Sequence, residues 1–523
     1  MNTRYLPLKA LGELLCLLMA LPVLLAVQGA VVQAAPAILY VAPGGSCGGA
    51  SPCYASPQTA VDAAAPGDEI RLAAGVYSGV NNQGGSSQVV YLAKSLTLRG
   101  GFTTANWDTP DPQTNITELN AQTLGRVVFI AGEATTVTLQ GLRFTYGNAS
   151  GLGGHQPTTL QNYDAGGNLY IDGATVALDD CVISDGATPS TGYAGGLYIR
   201  DGVLEMQNVT LTANEAGRGG AAFLYHADSQ VSQCQIVDNR TATPNGEGAG
   251  LTASGGEFTL RDSRIESNSA DQKAPFSGGL NINADKFLVE NSVISATLGS
   301  AGVALGGNGT LRTSTIQANQ YGGLRIGDGV VTVADNEILS NGTNGVYVEA
   351  GVVIDGVWDM TVSLLRNHIA YNRNLYVSSC GGGVYIDPTD AGWISLSENI
   401  IENNISGDSE FPLEDGNGGG VCINGDRATL EKNIIRNNHA IGFLDPINNP
   451  WGGRGGGVYI HGNPILRNNV VAGNRATFRG AGIYVSGSAP DLFHTTLVQN
   501  GVSGEDASGL YAAEASSTER AQP

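Results

Sequence analysis

A short phrase of glycines followed by alternating apolar residues recurs along the chain. Residues 381–386 and 455–460 both read Gly-Gly-Gly-Val-Tyr-Ile, and residues 418–423 read Gly-Gly-Gly-Val-Cys-Ile. Looser copies, in which two apolar residues flank a variable one, begin at Leu169, Leu197, Leu280, Leu324, Val346, Ile483 and Leu510. Such alternation predicts a β-strand, and self-similarity at a period of a few tens of residues predicts an array of stacked repeats.

A second phrase places an aliphatic residue three positions before an asparagine. The pairs are Leu211/Asn214, Ile236/Asn239, Ile265/Asn268, Ile316/Asn319, Ile338/Asn341, Ile369/Asn372, Ile401/Asn404, Ile435/Asn438, Val471/Asn474 and Leu497/Asn500. The residue before each aliphatic one varies freely, so we expect the aliphatic side chain to point inward and its neighbour outward. Asparagine tolerates left-handed backbone and suits a tight corner, and stacked corners would let the amides bond from rung to rung. Each repeat is then strand, turn, strand, Asn corner, loop and glycine. The fold class predicted is all-β, a single right-handed parallel β-helix.

The N-terminus has the features of an export signal. Arg4 and Lys9 precede an apolar run over residues 14–27, and Val32-Gln33-Ala34 has the form of a cleavage site. We expect cleavage after Ala34, with cleavage after Ala30 as the alternative. No other stretch approaches transmembrane length. The mature protein is therefore predicted to be secreted or held at the cell surface.

Between the signal and the repeats, the sequence predicts a cap. Cys47 and Cys53 lie six residues apart in a loop outside the reducing compartment, which favours a disulfide. Ser56 and Pro57 open a short helix that Pro66-Gly67 ends, and this helix would cover the open end of the solenoid. The predicted organisation is signal 1–34, cap 35–67, β-helix 68–512 and polar tail 513–523.

Composition narrows the function classes. The chain has a net charge of −21, so nucleic acid is excluded as an expected partner because phosphate binding needs a basic surface. Its 75 glycines stand at strand starts and corners rather than in runs, which argues against disorder. We expect a monomer. The remaining mature cysteines, Cys181, Cys234, Cys380 and Cys422, lack a paired spacing and are interpreted as small buried or strand residues.

The start of the array resembles a known family. Ala63-Ala64-Ala65-Pro66-Gly67-Asp68-Glu69-Ile70, followed by the strand over residues 96–102, is similar to the opening of exported bacterial β-helix proteins of the pectin-lyase-like superfamily. The glycine–tyrosine and asparagine phrases also resemble polymorphic outer-membrane protein repeats. The resemblance implies the fold over about residues 38–512. It leaves the activity open, because this architecture serves lyases, hydrolases, epimerases, adhesins and scaffolds.

The first candidate site is the edge where the three 37-residue repeats carry long loops over residues 373–380, 405–417 and 440–454. Loops on consecutive rungs about 4.8 Å apart must touch, and function concentrates in such loops. Aromatic rings beside carboxylates and arginines suit sugar recognition; the alternative is that the rings pack the loops together. The candidate ligand-binding residues are Arg373, Tyr376, Phe411, Glu414, Asp415, Asp445, Trp451 and Arg454.

The second candidate is a face of stacked tyrosines in the middle of the first strand. Its members are Tyr170, Tyr198, Tyr347, Tyr385, Tyr459, Tyr484 and Tyr511. An outward ring face would line a polysaccharide groove, whereas cross-strand ring packing would serve the sheet alone.

Catalytic signatures of the resembled enzymes are missing, so no catalytic residue is assigned. Asp179-Asp180 and His461-Gly462 are isolated fragments of such signatures, and residues 414–418 resemble a calcium loop that lacks the downstream bidentate Glu. Calcium is therefore only a secondary option, and no other cofactor or metal is expected. Of the six histidines, His155 in a glycine-rich loop is expected to be the most exposed. The function hypothesis is an exported binding or scaffold protein that recognises polysaccharide; the alternative is a polysaccharide lyase, glycoside hydrolase or epimerase. An Asp–Arg or paired-carboxylate constellation in one groove would favour the enzyme.

Overall fold

The structure is a computed structural model that divides into residues 1–37 and residues 38–523. It describes residues 35–158, 161–242, 247–270, 278–342, 352–355, 360–375, 380–387, 392–407, 416–444, 450–502 and 509–513. In the first unit only residues 35–37 are described, without regular structure. The second unit holds the cap and the repeats.

A short strand, a turn and a helix precede the first complete rung. The strand Ile38–Val41 pairs in parallel with Cys53–Tyr54 and Glu69–Ala73, and a 3-10 turn spans Pro43–Gly45. Helix α1 spans Pro57–Ala63, and the Ser56 hydroxyl caps it by accepting a 3.3 Å hydrogen bond from the Thr59 amide. Its buried residues join the core of the first rungs. The predicted Cys47–Cys53 disulfide is confirmed.

Each rung carries three principal strands, which stack in parallel on the strands of the next rung to form three faces. Strands of the first face are Ser86–Leu92, Arg126–Ala131, Leu169–Asp172, Leu197–Arg200, Ala222–Tyr225, Leu251–Ser254, Leu280–Glu290, Val303–Arg312, Leu324–Ile326, Val352–Ile354, Val384–Ile386, Val421–Asn424, Val458–His461, Ile483–Ser486 and Leu510–Ala513. Strands of the second face are Glu69–Ala73, Leu96–Phe102, Thr136–Gln140, Thr175–Asp179, Val203–Gln207, Asp228–Ser232, Glu257–Arg261, Gly329–Ala334, Met360–Leu365, Trp393–Ser397, Ala428–Glu431, Ile465–Arg467 and Asp491–Phe493, with Leu280–Glu290 and Val303–Arg312 running through both faces.

Strands of the third face precede the Asn corner. They are Gly75–Ser78, Thr117–Asn120, Arg143–Thr145, Val182–Ser184, Thr210–Thr212, Gln235–Val237, Arg264–Glu266, Val293–Ser295, Thr315–Gln317, Glu337–Leu339, His368–Ala370, Ile400–Glu402, Ile434–Arg436, Val470–Ala472 and Thr496–Val498. Two-residue strands follow some corners: Glu215–Ala216, Arg240–Thr241, Ser269–Ala270, Arg373–Asn374, Ile405–Ser406, His439–Ala440, Arg475–Ala476 and Gly501–Val502. Antiparallel excursions are Asn81–Gln83 against Ser86–Leu92, Gly154–Thr158 against Gln161–Asp164, and Gly442–Leu444 against Pro450–Gly452.

The second face is the part that the two-strand repeat prediction missed. Thr175–Asp179 alternates apolar and polar residues as a strand should. In the later rungs a second ladder of buried asparagines, Asn336, Asn367, Asn399, Asn433 and Asn469, stands two residues after the second-face strands, and the repeat prediction did not use it. The solenoid therefore turns three corners per rung rather than two.

The predicted inward register is confirmed. Ile401 and Ile435 align with each other across the third face and are fully buried. His368, one residue before the inward Ile369, is only partly buried and reaches outward to Glu337 and Glu402. A single apolar core runs from Leu39 to Val485, because like side chains stack on like from rung to rung.

The predicted asparagine ladder is also present. Asn404 donates from its amide nitrogen to the Asn438 amide oxygen over 3.0 Å and to the Ile369 carbonyl over 2.9 Å, and its oxygen accepts from Asn372. The left-handed backbone lies one residue earlier than the sequence predicts. The left-handed residue is the one before the ladder asparagine, such as Asn403 with φ 55° before Asn404. The ladder asparagine is needed for its buried amide, which satisfies the corner's backbone groups.

Two cysteines that the sequence left unpaired form a second disulfide. Cys380 lies at a corner and Cys422 in the first-face strand of the next rung, with Cα atoms 5.4 Å apart. The sequence did not predict this pairing because the two cysteines occupy different positions in the repeat. The corner residue of one rung contacts the middle residue of the first-face strand in the next rung. Cys181 and Cys234 are buried free thiols, as predicted. Across the ranges described above, no helix has the length and apolar character needed to cross a membrane.

Candidate functional site

Five rings stack along the solenoid axis near its N-terminal end. Tyr91, Phe129, Tyr170, Tyr198 and Phe223 are in-register partners on successive first-face strands. We call them the N-terminal ring column. Neighbouring ring centroids lie 5.2, 5.1, 5.5 and 6.2 Å apart in that order. Their strand neighbours, such as Leu169 and Ile171, point into the core, so the rings point out of it, as the sequence predicts for Tyr170 and Tyr198.

The column is nevertheless covered. Phe129, Tyr170, Tyr198 and Phe223 are 8%, 5%, 0% and 5% exposed, and they form an apolar cluster separate from the solenoid core. The cover is the antiparallel hairpin of Gly154–Thr158 and Gln161–Asp164, which leaves the solenoid after an Asn-containing corner. Of the two interpretations of the tyrosine face, ring packing therefore describes this half of the chain, because an insert folds back over the rings.

His155 anchors this hairpin to the column. Its Nδ1 shares a 2.6 Å hydrogen bond with the Tyr198 hydroxyl, and its ring lies 4.0 Å from that of Tyr193. Burial, together with repulsion from Arg218, Arg200 and His226, lowers the pKa of His155 to about 4. His155 is 3% exposed rather than the most accessible histidine, since the glycine-rich loop that carries it docks on the rings.

Arg126 is a cation buried beside the same column. Its guanidinium lies 4.5 Å from the Tyr170 ring centroid and donates to the Gly153 carbonyl over 2.6 Å, to the Ala165 carbonyl over 3.0 and 3.1 Å, and to the Ser86 hydroxyl over 2.6 Å. Within the described part of the chain, no carboxylate lies at ion-pair distance from it. Burial lowers the pKa of Arg126 to about 10, so the group stays charged at neutral pH.

A pocket of about 200 Å³ opens between the hairpin and the first face. Its lining residues are Gly84, Gly85, Ser86, Arg126, Phe129, Leu152, Gly154, Gln156, Asn162, Tyr170, Asp172 and Arg200. Asp172 and Arg200 are in-register partners on neighbouring strands and form a bidentate ion pair with N–O distances of 2.6 and 2.9 Å. These hydrogen bonds raise the pKa of Arg200, whereas burial raises the pKa of Tyr170 to about 12.

The pocket therefore combines fixed polar groups with the small exposed parts of two rings. Tyr170 and Phe129 supply the ring surface. Arg126, the Asp172–Arg200 pair, Gln156 and Asn162 supply donors and acceptors of both kinds. A small concave site of this make-up suits a polar ligand that has an apolar face, with hydroxyl or acidic groups around it.

Most of the loop-edge candidates lie outside the described residues. These are Tyr376, Phe411, Glu414, Asp415 and Asp445, and the side chain of Trp451 is likewise not described. Arg373 is exposed in a two-residue strand, and the Arg454 guanidinium lies 5.6 Å from the Tyr484 ring centroid. The grouping of these residues into one site remains a prediction.

Sequence reasoning missed Arg126, Asp172 and Arg200. Asp172 and Arg200 follow the Leu-Tyr-Ile triplet at the same position in consecutive repeats, so alignment of the copies would have placed them side by side. Arg126 had no such signal, because its carbonyl partners are contributed by an insert.

The comparisons with known proteins agree with this architecture. Residues 272–520 match the family model described as right handed beta helix region, and residues 162–378 match that of the periplasmic copper-binding protein NosD. The chain folds as a right-handed parallel β-helix, as the first of these family descriptions states.

Nine chains of known structure match this β-helix, at low similarity. A tailspike protein of E. coli bacteriophage HK620, in complex with a pentasaccharide, is 12% identical with TM-score 0.36, covering 84% of this chain and 74% of its own. DFA-IIIase from Arthrobacter chlorophenolicus A6 is 13% identical with TM-score 0.28, covering 71% and 84%. The A-module of mannuronan C-5 epimerase AlgE4 from Azotobacter vinelandii is 14% identical with TM-score 0.23, covering 91% and 99%. No curated protein sequence matches the chain.

Copper binding, named in one family description, does not fit the residues that the structure describes. Where the structure describes the matched segment, the thiols of Cys181 and Cys234 are buried and donate to backbone carbonyls, while His226 and His368 each pair with carboxylates. No cluster of three His, Cys, Asp or Glu side chains able to hold a metal occurs among the residues described. Soft and imidazole ligands converging on one point are what copper requires.

Proposed function

We propose that this protein is an exported carbohydrate-binding protein whose binding site is the pocket beside the N-terminal ring column. The observation that carries the proposal is the Asp172–Arg200 ion pair. Its two groups are hydrogen-bonded to each other and line the same pocket as the Tyr170 ring. A ring surface packs against the apolar face of a sugar. The charged pair offers both donors and acceptors to its hydroxyls.

The pocket volume limits what enters it. At about 200 Å³ it is smaller than the roughly 300–1,000 Å³ of drug-sized ligand pockets, so it suits a single sugar residue. Arg126 adds a fixed positive charge without a carboxylate partner among the described residues. We therefore expect a preference for sugars that carry an acidic group.

Export is supported by the predicted signal over residues 1–34 and by the disulfides. Cys47–Cys53 and Cys380–Cys422 would persist only outside a reducing compartment. The solenoid then serves as a rigid extracellular scaffold. The loop edge from Arg373 to Arg454 remains a second predicted binding surface on it.

The test is a glycan-array screen of the mature chain, followed by titration of the best glycan and of mannuronan against variants. Arg200→Gln removes the bidentate pair and should weaken binding at least tenfold, since charge-assisted hydrogen bonds contribute about 1.5–3 kcal/mol each. Arg479→Gln is the matched control, because Arg479 contacts Tyr511 in a first-face strand near the C-terminus.

The outcomes separate the candidate sites. Loss of binding in Arg200→Gln alone supports the pocket. Loss in Trp451→Ala with Arg200→Gln unaffected moves the site to the loop edge. If no glycan binds the wild type, the chain is a scaffold.

A second candidate function is a polysaccharide lyase or epimerase. It is favoured by the convergence of Asp172, Arg200 and Tyr170 on one pocket, the kind of Asp–Arg constellation that distinguishes an enzyme from a binding protein. Incubation with mannuronan would test it, with size analysis of the products to detect cleavage and proton NMR to detect inversion at C-5 without cleavage. Turnover that disappears in Asp172→Asn would replace the binding proposal, and an unchanged polymer would leave binding as the function.

A further inference from the structure

The hairpin over the ring column stands outside the parallel ladders. Its strands Gly154–Thr158 and Gln161–Asp164 pair only with each other, whereas the chain on either side returns to the solenoid through bridges at Asn148 and Ala165. Displacement of the hairpin would therefore break none of the rung-to-rung strand pairing that holds the β-helix together.

The hairpin is internally braced. The Asp164 carboxylate accepts from the Gly151 and Gly153 amides over 2.9 and 2.7 Å, and the Asn162 side chain accepts from the Gly154 amide over 2.9 Å. These bonds lie within the insert, so it can move as one body.

Its attachments to the rungs beneath are few, and most of them come from side chains. They are the His155–Tyr198 hydrogen bond, a 3.0 Å bond from the Tyr170 hydroxyl and a 3.4 Å bond from Arg200 to the Gly154 carbonyl, the Arg126 bonds to the Gly153 and Ala165 carbonyls, and one backbone bond of 2.8 Å from the Tyr193 amide to the Asp164 carbonyl. Glycines with positive φ flank the hairpin on both sides: Gly151 at 76° and Gly153 at 62° before it, and Gly166 at 69° after it. A loop that moves needs such backbone freedom at its ends.

The hairpin covers the N-terminal ring column, whose rings follow one another along the solenoid axis. Five rings at centroid spacings of 5.1 to 6.2 Å are more than a pocket for one sugar needs. The pocket lies beside Phe129 and Tyr170, so an opened hairpin would join it to the rest of the column.

We propose that the hairpin is a lid, latched by His155 on Tyr198, and that its opening extends the pocket into an aromatic groove for a polysaccharide chain lying along the solenoid axis. This inference rests on the proposed carbohydrate function for its ligand. The opening itself does not depend on it. A chain bound in the groove would contact several rings in succession, which adds affinity for a polymer over a single sugar.

The experiment combines hydrogen exchange with tyrosine nitration on the full mature chain. The hairpin amides should exchange by an opening that leaves strands Leu169–Asp172 and Leu197–Arg200 protected. Tyr198 should be nitrated at the rate set by that opening. Tyr77, buried in the third-face strand Gly75–Ser78 with its hydroxyl donating to the Val41 and Ala73 carbonyls, reports global unfolding and should stay unreacted.

Latch variants make the test specific. Tyr198→Phe removes the bond to His155 and should speed hairpin exchange by roughly threefold to tenfold. Tyr170→Phe, which loses the bond to Gly154, should act in the same direction. Tyr484→Phe, the control on a distant first-face strand, should leave hairpin exchange unchanged. If the hairpin exchanges only together with the strands beneath it, or if neither latch variant accelerates it, the lid does not exist.

A glycan arm separates the two proposals. A polysaccharide that binds in the groove should protect Tyr198 from nitration in the wild type. Opening without protection by any polysaccharide retains the lid and removes the carbohydrate function. Binding of a polysaccharide to a hairpin that never opens separately retains the pocket and removes the lid.

Discussion

The same position of the repeat is used in two different ways at the two ends of the solenoid. The N-terminal ring column is closed by an insert that carries His155. Near the C-terminus, Tyr459, Tyr484 and Tyr511 stack at 5.5 and 5.3 Å and form a second column, the C-terminal ring column. It is braced by corner arginines, with Arg454 lying 5.6 Å from the Tyr484 ring and Arg479 lying 4.9 Å from the Tyr511 ring.

The brace has a regular geometry. The corner residue lies five positions before the middle residue of its own first-face strand. Its side chain packs on the middle residue of the first-face strand in the next rung. Arg454 with Tyr484 and Arg479 with Tyr511 follow this rule. Cys380 with Cys422 follows it as well, and there the contact is covalent. The two columns therefore differ in what covers them, a hairpin or a single corner side chain, and a pocket with a buried charge lies beside the covered column.

The two columns should differ most in how much local stability they lose when an arginine is replaced. Arg126→Ala leaves up to three buried acceptors without a donor and should lower local stability by about 3–5 kcal/mol. Arg479→Ala removes an exposed bond and a cation–π contact, and should cost about 0.5–1 kcal/mol. Hydrogen exchange of strands Leu169–Asp172 and Ile483–Ser486 measures the two losses. Equal losses would mean that the buried arginine has no special role.

The second disulfide should stabilise only the later rungs. Replacing Cys380 and Cys422 together by alanine should lower the stability of rungs from Val384–Ile386 to Val421–Asn424 by about 2–3 kcal/mol. The N-terminal ring column should be unaffected, since stacked repeats couple mainly to their neighbours. Thermal melting followed by region-specific exchange checks this. Peptide mapping without reductant that recovers both thiols free would contradict the pairing.

A smaller difference should appear with pH. His155 has a pKa of about 4 in the covered column against an ordinary value of about 6.5, so the closed hairpin binds fewer protons than the open one. Closure should be fully stable above about pH 6.5, weaken as pH falls towards 4, and change little below that. Arg218, Arg200 and His226 repel the proton, and the rings facing His155 are Tyr163, Tyr193, Tyr198, Phe223 and Tyr225.

Exchange rates of the hairpin amides, corrected for the intrinsic effect of pH, measure this dependence. His155→Phe should flatten it. A wild-type hairpin equally protected at pH 4 and pH 7 would show that His155 does not hold it.

The sequence predicts the parts of this fold that repeat. Ile401 and Ile435 are inward because each aliphatic–Asn phrase recurs at the same register, and Asn404 stands in its ladder for the same reason. The Cys380–Cys422 disulfide was missed because its two members occupy different repeat positions. The burial of Tyr198 depends on how the hairpin packs on the rings. The repeat pattern does not predict this packing, because the hairpin is an insert outside the repeat. The pocket was missed for the same reason, since Arg126 acquires its partners only when residues 153–165 fold back.

The most direct measurement is a crystal structure of the mature chain with the tightest glycan from the array. A sugar ring against Tyr170, with hydroxyl or acid oxygens within hydrogen-bond distance of Asp172, Arg200 or Arg126, is the result predicted here. A glycan bound at the loop edge beside Arg373 and Arg454, with the pocket beside the N-terminal ring column unoccupied, would contradict it.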